Sequence, residues 1–276
     1  MQTRRLLCAS LVVLLLFLPA CSLANTQRRD DSFAVSGPAR LEGDVGISRV
    51  MIHGTNTDQI HIQATLRHAR QTAYRTTQSD NTIRIQVETA AGFASSAGQP
   101  AVEIVATVPE TTELDLRSST GDIYVDEIAG RIVLATSGGS LQLSDCQNQI
   151  ELRNQTGKTE CRRVEGTFFI RSHAGSVNLD SVGGAFDVET DSGEIDVLGR
   201  FADGQAHCLV SSTGAIEVDI VGTPNLRLDA TSETGLVRCV LTMREQSITD
   251  HQCSGVLGNG AGTLQVRTST GRITVK

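Results

Sequence analysis

The sequence predicts an all-β fold in which a single chain winds as a parallel β-solenoid, or β-helix, with coils of about 18 residues. Turn glycines recur at one constant interval through the middle of the chain, at Gly121, Gly139, Gly157, Gly175 and Gly193. In most coils apolar residues stand two and four places after the glycine, as in Ile123/Val125. So short a period indicates parallel strands that bury their apolar face only by stacking on neighbouring coils.

The first residues indicate export. Residues 1–5 are short and basic, residues 6–18 are almost wholly apolar, and the run ends in Leu18-Pro19-Ala20-Cys21, which resembles a bacterial lipobox. The apolar run is shorter than the roughly 20 residues that a membrane-spanning helix needs. Residues 1–20 are therefore predicted to be a lipoprotein signal peptide. The alternative is an ordinary signal peptide that is cut after Ala24.

Cleavage before Cys21 would leave a lipidated cysteine that holds the protein on a membrane through its acyl chains. Residues 21–32 would then form a linker from that cysteine. Ser22 follows the cysteine, which resembles lipoproteins sent to the outer membrane of Gram-negative cells. We therefore expect a lipid-anchored protein of the bacterial cell envelope, on the outer membrane or the periplasmic face if the cell is Gram-negative.

Composition argues against nucleic acid as a partner. Arg4 and Arg5 lie in the leader, so 22 of the 24 basic residues remain against 31 acidic ones, and the mature net charge is about −9. Nucleic-acid-binding proteins instead carry basic stripes. Aromatic residues make up 3% of the chain and Trp is absent, which predicts few stacking platforms for sugars or bases.

The mature chain divides into two predicted regions. Residues 33–112 alternate like strands without the regular glycine period, as in Val102/Ile104, and are expected to begin or cap the solenoid, with residues 90–100 as a loop. Residues 113–276 form the repetitive solenoid. No part of the mature chain has a convincing helical pattern.

Each coil is predicted to carry two short strands. Apolar residues stand seven and five places before the turn glycine, as in Ile132/Leu134, and period-two alternation would point them inward. A second turn position, nine places after the glycine, holds Asn148 where other coils have glycine, which indicates left-handed backbone there. Polar steps such as residues 118–120 are predicted to stack as Ser/Thr/Asn ladders along one edge.

The period lengthens after Gly193. Two successive intervals are longer than the earlier ones, and the added residues near 199–205 and 222–225 are predicted to project as loops. The last coil, residues 264–276, ends the chain without a polar cap. Because unpaired strand edges are sticky, this coil is expected either to associate end to end with another chain or to be covered by the irregular residues 241–262.

The repeated Ser-Thr-Gly-x-Ile-x-Val units, with Val102–Pro109 and the stretch from Leu114 to Ile123, resemble the bacterial putative-adhesin family of repetitive β-solenoids. The resemblance covers about residues 33–276. It implies an exported or membrane-linked domain of unknown function, and it carries over no catalytic or ligand residues.

Two functions follow as alternatives. In the first, the protein is a non-catalytic scaffold or adhesin-like module that binds a protein or an envelope polymer. In the second, it is a carbohydrate-active β-helix enzyme, because paired carboxylates suit glycoside hydrolysis. The candidate carboxylates are the outward acids of the second strands: Asp122, Asp126, Glu160, Asp180, Glu194, Asp196, Glu217 and Asp219.

We favour the non-enzymatic interpretation, because water-exposed strand faces are commonly charged for solubility alone. The six histidines are scattered without zinc-ligand spacing, so no metal or other cofactor is expected. We assign no catalytic residue.

Five cysteines lie in the predicted solenoid, in a compartment that permits disulfides. Cys146 and Cys161 occupy inward positions and are expected to be small buried apolar residues. Cys239 and Cys253 flank an irregular segment, where a disulfide would restrain the chain. If any pair is bonded, we expect this pair.

Overall fold

The computed structural model describes residues 26–67, 69–90 and 100–276. The predicted signal peptide, Cys21 and most of the predicted loop at 90–100 lie outside these residues. The described part is all-β, and no helix in it is long and apolar enough to cross a membrane.

Within the described residues, twenty-four strands form one mixed sheet. The first twelve are β1 (Gln27–Ala34), β2 (Arg40–Asp44), β3 (Ser48–Thr55), β4 (Gln59–Leu66), β5 (Thr72–Ser79), β6 (Thr82–Thr89), β7 (Val102–Pro109), β8 (Glu113–Thr120), β9 (Ile123–Asp126), β10 (Ile132–Gly138), β11 (Leu141–Ser144) and β12 (Gln147–Thr156). The others are β13 (Thr159–Arg162), β14 (Glu165–Ala174), β15 (Val177–Thr190), β16 (Ile195–Phe201), β17 (Ala206–Ser211), β18 (Ile216–Ile220), β19 (Leu226–Ser232), β20 (Val237–Cys239), β21 (Arg244–Ile248), β22 (Gln252–Val256), β23 (Gly262–Thr268) and β24 (Ile273–Val275).

Strand pairing arranges the sheet in two rows. The first strand row runs β5-β6-β2-β8-β10-β12-β14-β15-β17-β23-β19-β22-β21. The second strand row runs β1-β4-β7-β3-β9-β11-β13-β15-β16-β18-β24-β20. The long strand β15 belongs to both rows and joins them.

The middle of both rows is parallel and keeps the predicted register. Ile132 lies opposite Ile150, and Leu141 lies opposite Thr159, in each case one glycine period further along the sequence. The inward residues of these strands are buried, and so are Ile128 and Cys146 in the connections that follow β9 and β11. Asn148 has φ of +95°, which confirms the left-handed geometry predicted for that turn.

Both ends of the sheet depart from the predicted parallel arrangement. At the N-terminal end β1 pairs antiparallel with β4, and β5 pairs antiparallel with β6. The two-residue turn Asp80-Asn81, with Asp80 at φ of +53°, closes the β5–β6 hairpin. At the other end β22 pairs antiparallel with both β19 and β21. These antiparallel pairings lie where the regular glycine period is absent.

The predicted linker at residues 21–32 is wrong for its second half. Residues 27–32 belong to β1, which pairs along its whole length with β4. The strand lies at the edge of the second strand row and its first four residues are all exposed. It therefore carries no apolar alternation by which a sequence pattern could have found it.

The last coil does not lie at the end of the stack. Strand β23 lies between β17 and β19, and β24 lies between β18 and β20. Both edges of each C-terminal strand are therefore paired within the chain, which corrects the expectation that residues 264–276 expose an edge or lie under residues 241–262. The last parallel strands of the two rows are instead β19 and β20.

A buried polar ladder confirms the predicted stacking of Ser, Thr and Asn. Its members are Ser118, Thr136, Asn154, Ser172, Thr190, Ser211, Thr268 and Ser232 in spatial order. The Thr268 hydroxyl donates to the carbonyl of Gly214 at 3.0 Å and accepts from the amide of Gly271 at 3.1 Å. At such positions the ladder ties the turn of one coil to the turn of the next.

Candidate functional site

The first strand row presents an arginine-lined groove to solvent. Arg117, Arg153 and Arg171 lie on β8, β12 and β14, in one cross-strand line that also contains Ala135 of β10. The groove above them has a volume of about 560 Å³. We call this surface the arginine groove. Alternation along each strand turns these side chains outward because their neighbours, such as Leu116 and Leu152, fill the core.

The three arginines differ in their ion pairs. Arg153 pairs with Glu151 at 2.6 Å, and Arg171 pairs with Asp187 at 2.9 Å and with Glu189 at 3.2 Å. The hydrogen bond to Asp187 raises the pKa of Arg171. Arg117 makes no ion pair with any described residue. The groove therefore contains one unengaged cation and two that share their charge with carboxylates.

Polar and aromatic side chains complete the groove. Ser137 and Gln155 are exposed on its wall, next to the polar ladder. On the other side of Arg153 and Arg171, Phe169 is 39% exposed and helps to line a second hollow of about 300 Å³. This ring is an exposed aromatic platform of the kind that composition predicted to be scarce.

The second strand row carries a different groove of about 590 Å³ above β3, β7, β9 and β11. Met51, Val105 and Tyr124 form its apolar part. The Tyr124 hydroxyl donates to Asp122 at 3.4 Å. Partial burial, and after it the negative charge of Asp122, raises the pKa of Tyr124. His53 lies 3.2 Å from Asp126 at the rim. Cations do not repeat along this groove, whose rim combines Arg49, His53 and Asp126.

Further along the second strand row, the structure brings together part of the predicted acidic set. Asp196 lies opposite Glu217 on adjacent strands. Lys276 bonds to Glu217 and lies 3.7 Å from Asp219. Desolvation is the main cause that raises the pKa of Asp196, and the negative charges of Glu217 and Asp219 raise it further. The acids thus form a neighbouring pair on an outward strand surface, with a lysine bound to it.

The remaining predicted acids are distributed along the row. Asp126 lines the groove above β3, β7, β9 and β11, and Asp122 accepts the hydrogen bond from Tyr124 in that groove. Asp180 and Glu194 lie on or beside β15 and β16. Glu160 lies on the outward face, opposite Gln142 and Asn178, but it is only 7% exposed and is paired with Lys158 and Arg162. Within the described ranges, no group of three or more His, Cys, Asp or Glu side chains could hold a metal ion.

The cysteines fall into two sets. Cys239 and Cys253 are joined as a disulfide, with Cα atoms 6.4 Å apart, between β20 and β22. Cys146 and Cys161 are buried free thiols, and Cys208 is a half-buried one. Burial raises the pKa of Cys146 to about 11 and raises that of Cys161 further.

Sequence reasoning missed the arginine groove although a signal was present. Arg153 and Arg171 are one glycine period apart, and Arg117 lies two periods before Arg153. Because whole glycine periods separate the three arginines, they fall on one line across the strands. The negative net charge of the whole chain gives no indication of this local row of arginines.

Comparison with known protein families gives a match over most of the chain. A family model described as Toastrack DUF4097 matches residues 40–276. No curated protein matches the chain.

Solved structures with similarity to the chain include a putative cell adhesion protein from Clostridium sporogenes, with 11% identity, a TM-score of 0.36, and coverage of 91% of this chain and 99% of that one. A putative adhesin from Bacteroides fragilis has 11% identity, a TM-score of 0.36 and coverage of 91% and 97%. A putative lipid binding protein from Parabacteroides distasonis has 13% identity, a TM-score of 0.34 and coverage of 92% and 98%.

Proposed function

The chain belongs to the Toastrack DUF4097 family, and from that premise we propose that it is a lipid-anchored, non-catalytic binding module of a bacterial cell envelope. Its strands would wind as a solenoid, which the regular register of the parallel strands supports. Residues 1–20 would be removed, Cys21 would carry the lipid, and the stacked strands would act as an adhesin-like surface for an envelope polymer or protein.

The observation that carries the proposal is the arginine groove. Its side chains stand on paired strands whose opposite face is buried core, so their spacing is fixed by the backbone register. An open groove with cations, polar groups and one exposed aromatic ring suits recognition of an extended ligand. A rigid surface also keeps the entropy cost of binding low.

Anchoring is tested in a Gram-negative host that expresses the full chain. We expect the protein in the membrane fraction, with a lipid-modified N-terminal peptide that begins at Cys21. Cys21→Ser should abolish the modification and membrane retention, whereas Cys8→Ser, a matched change inside the leader, should leave both intact. An unmodified mature protein that starts at Asn25 and stays in the soluble fraction would contradict the anchor.

Binding is tested by sedimentation of the full chain, held in detergent micelles, with envelope fragments freed of lipid, so that the anchor on Cys21 does not contribute. We expect co-sedimentation that weakens with salt, because exposed charges are screened. A chain that stays in the supernatant at low salt would refute the binding module.

A second candidate function rests on the Asp196–Glu217 pair, where the raised pKa of Asp196 resembles that of a general acid. Turnover of envelope polysaccharide that is lost in both Asp196→Asn and Glu217→Gln would favour that enzyme. We favour the module because Lys276 binds Glu217 and Asp219 directly.

A further inference from the structure

We propose that the arginine groove binds an acidic polysaccharide, that is, a chain of sugars with repeated carboxylate groups. The inference rests on the proposed function and names the class of ligand that this surface takes.

The spacing of the cations supports a polymer that lies across the strands. Arg153 and Arg171 are register partners on adjacent strands, so their backbones are about 4.8 Å apart. Ala135 separates Arg117 from Arg153, which places those two about 10 Å apart. The small side chain of Ala135 leaves room between them. A linear ligand running along the row would therefore meet a cation at every strand or every second strand.

Arginine is suited to carboxylates because its planar guanidinium can donate two parallel hydrogen bonds to one carboxylate. Arg117 has these donors free of any ion pair with the described residues. Arg153 can exchange part of its contact with Glu151 for a ligand, because its side chain is 64% exposed. Asp187 and Glu189 hold Arg171 in place on the surface.

The groups around the arginines favour a sugar chain over other polyanions. The exposed ring of Phe169 lies beside Arg153 and Arg171, and aromatic rings pack against the apolar faces of sugars. Ser137 and Gln155 offer donors and acceptors to hydroxyl groups. A polyphosphate would use the cations but would gain nothing from Phe169.

Acidic residues at one end of the groove limit where the carboxylates of the ligand can lie. Glu189 and Asp191 close one end of the groove, and Asp191 is bonded to His173 at 2.5 Å. Carboxylates of the ligand would be repelled there. The charged part of the polymer should therefore extend from Arg171 towards Arg117.

The test measures binding of the full chain, in detergent micelles at low salt, to polygalacturonate by titration calorimetry. Size-matched neutral dextran and linear polyphosphate serve as the other two probes. We expect polygalacturonate to bind and dextran not to bind. Arg117→Gln/Arg153→Gln should weaken the binding of polygalacturonate at least tenfold. The matched variant Arg75→Gln/Arg227→Gln removes two exposed arginines of the same row outside the groove and should change binding less than twofold.

Phe169→Ala separates sugar recognition from charge. This substitution should weaken the binding of polygalacturonate about fivefold and change the binding of polyphosphate less than twofold. Equal losses in the two double-arginine variants would mean that only overall charge matters and would overturn the groove. Polyphosphate that binds more tightly than polygalacturonate would overturn the sugar assignment.

The inference and the proposed function can fail separately. If the chain co-sediments with envelope fragments but does not bind polygalacturonate, the binding module stands and the ligand class is wrong. If the chain binds neither envelope fragments nor polygalacturonate, both the binding module and the ligand class are wrong.

Discussion

Val218 and Val275 are register partners in the adjacent parallel strands β18 and β24, although β19 to β23 lie between them in sequence. On its other side Val275 lies opposite Cys239. The final coil of the chain is therefore inserted between two coils that precede it. The pairing of β18 and β20 with their neighbours on this side therefore depends on β24.

The insertion predicts that the C-terminal strands are structural and not fraying ends. Ile273→Ala should lower the free energy of unfolding by about 2–5 kcal/mol, because the side chain is fully buried between two strands. Thr274→Ala, on the partly exposed face of the same strand, should cost less than about 1 kcal/mol. Urea unfolding of the full-length variants measures both. A small effect of Ile273→Ala would mean that the last coil is peripheral.

Much of the repetitive core could be predicted from the sequence because each apolar position recurs at a fixed place in the coil. Ile132, Ile150 and Phe168 stack as that spacing requires. The spatial order of the last coils could not be predicted, because any coil with this pattern can pair with any other. The hairpin β21–β22 pairs with the edge of β19 that faces away from β23, and its sequence has no repeat signal.

The site was harder to predict than the fold for a related reason. Inward positions are restricted to apolar residues and are easy to recognise, whereas outward positions accept almost any polar residue. Arg117, Arg153 and Arg171 become a groove only once the register places them in one line. The outward acids are numerous in the sequence, yet Glu160 among them is covered by its ion-pair partners Lys158 and Arg162.

The disulfide between Cys239 and Cys253 restrains the end of the stack. Cys239→Ser/Cys253→Ser should lower the free energy of unfolding by about 2–4 kcal/mol, since the bond joins residues with a sequence separation of 14 and restricts the unfolded chain. Reductant should destabilise the parent protein by a similar amount and leave the double variant unchanged, which provides the control. Peptide mapping without reductant should find these two residues linked. Finding both thiols free in the oxidised protein would contradict the pairing.

His207 predicts how stability depends on pH. The ring is buried against Phe186 and Phe201, accepts at Nδ1 from the amide of Phe186 at 3.3 Å, and lies 3.0 Å through Nε2 from the carbonyl of Ala202. Burial lowers its pKa in the folded state below the unfolded value of about 6.5. The unfolded chain therefore binds more protons between the two values. The stability from neutral His207 is complete above the unfolded pKa, decreases as the pH falls through it, and stops decreasing below the folded pKa.

Chemical unfolding between pH 7.5 and pH 5 checks this sign. The parent should lose stability on acidification in that interval, and His207→Gln should flatten the slope while lowering stability at pH 7.5. An identical slope in His207→Gln would assign the pH dependence to other groups.

The polar ladder allows a comparison of two substitutions of the same type. Thr268→Val keeps the shape of the side chain but removes the hydroxyl that bonds to Gly214 and Gly271. The carbonyl and the amide would be left buried without partners, so we expect a loss of about 1–3 kcal/mol or more. Thr136→Val makes the same change at a ladder position whose buried hydroxyl has no hydrogen-bond partner. Because nothing is lost there, stability should stay within about 0.5 kcal/mol or increase. Urea unfolding of both variants gives the comparison, and equal costs would show that the hydroxyls do not tie the turns together.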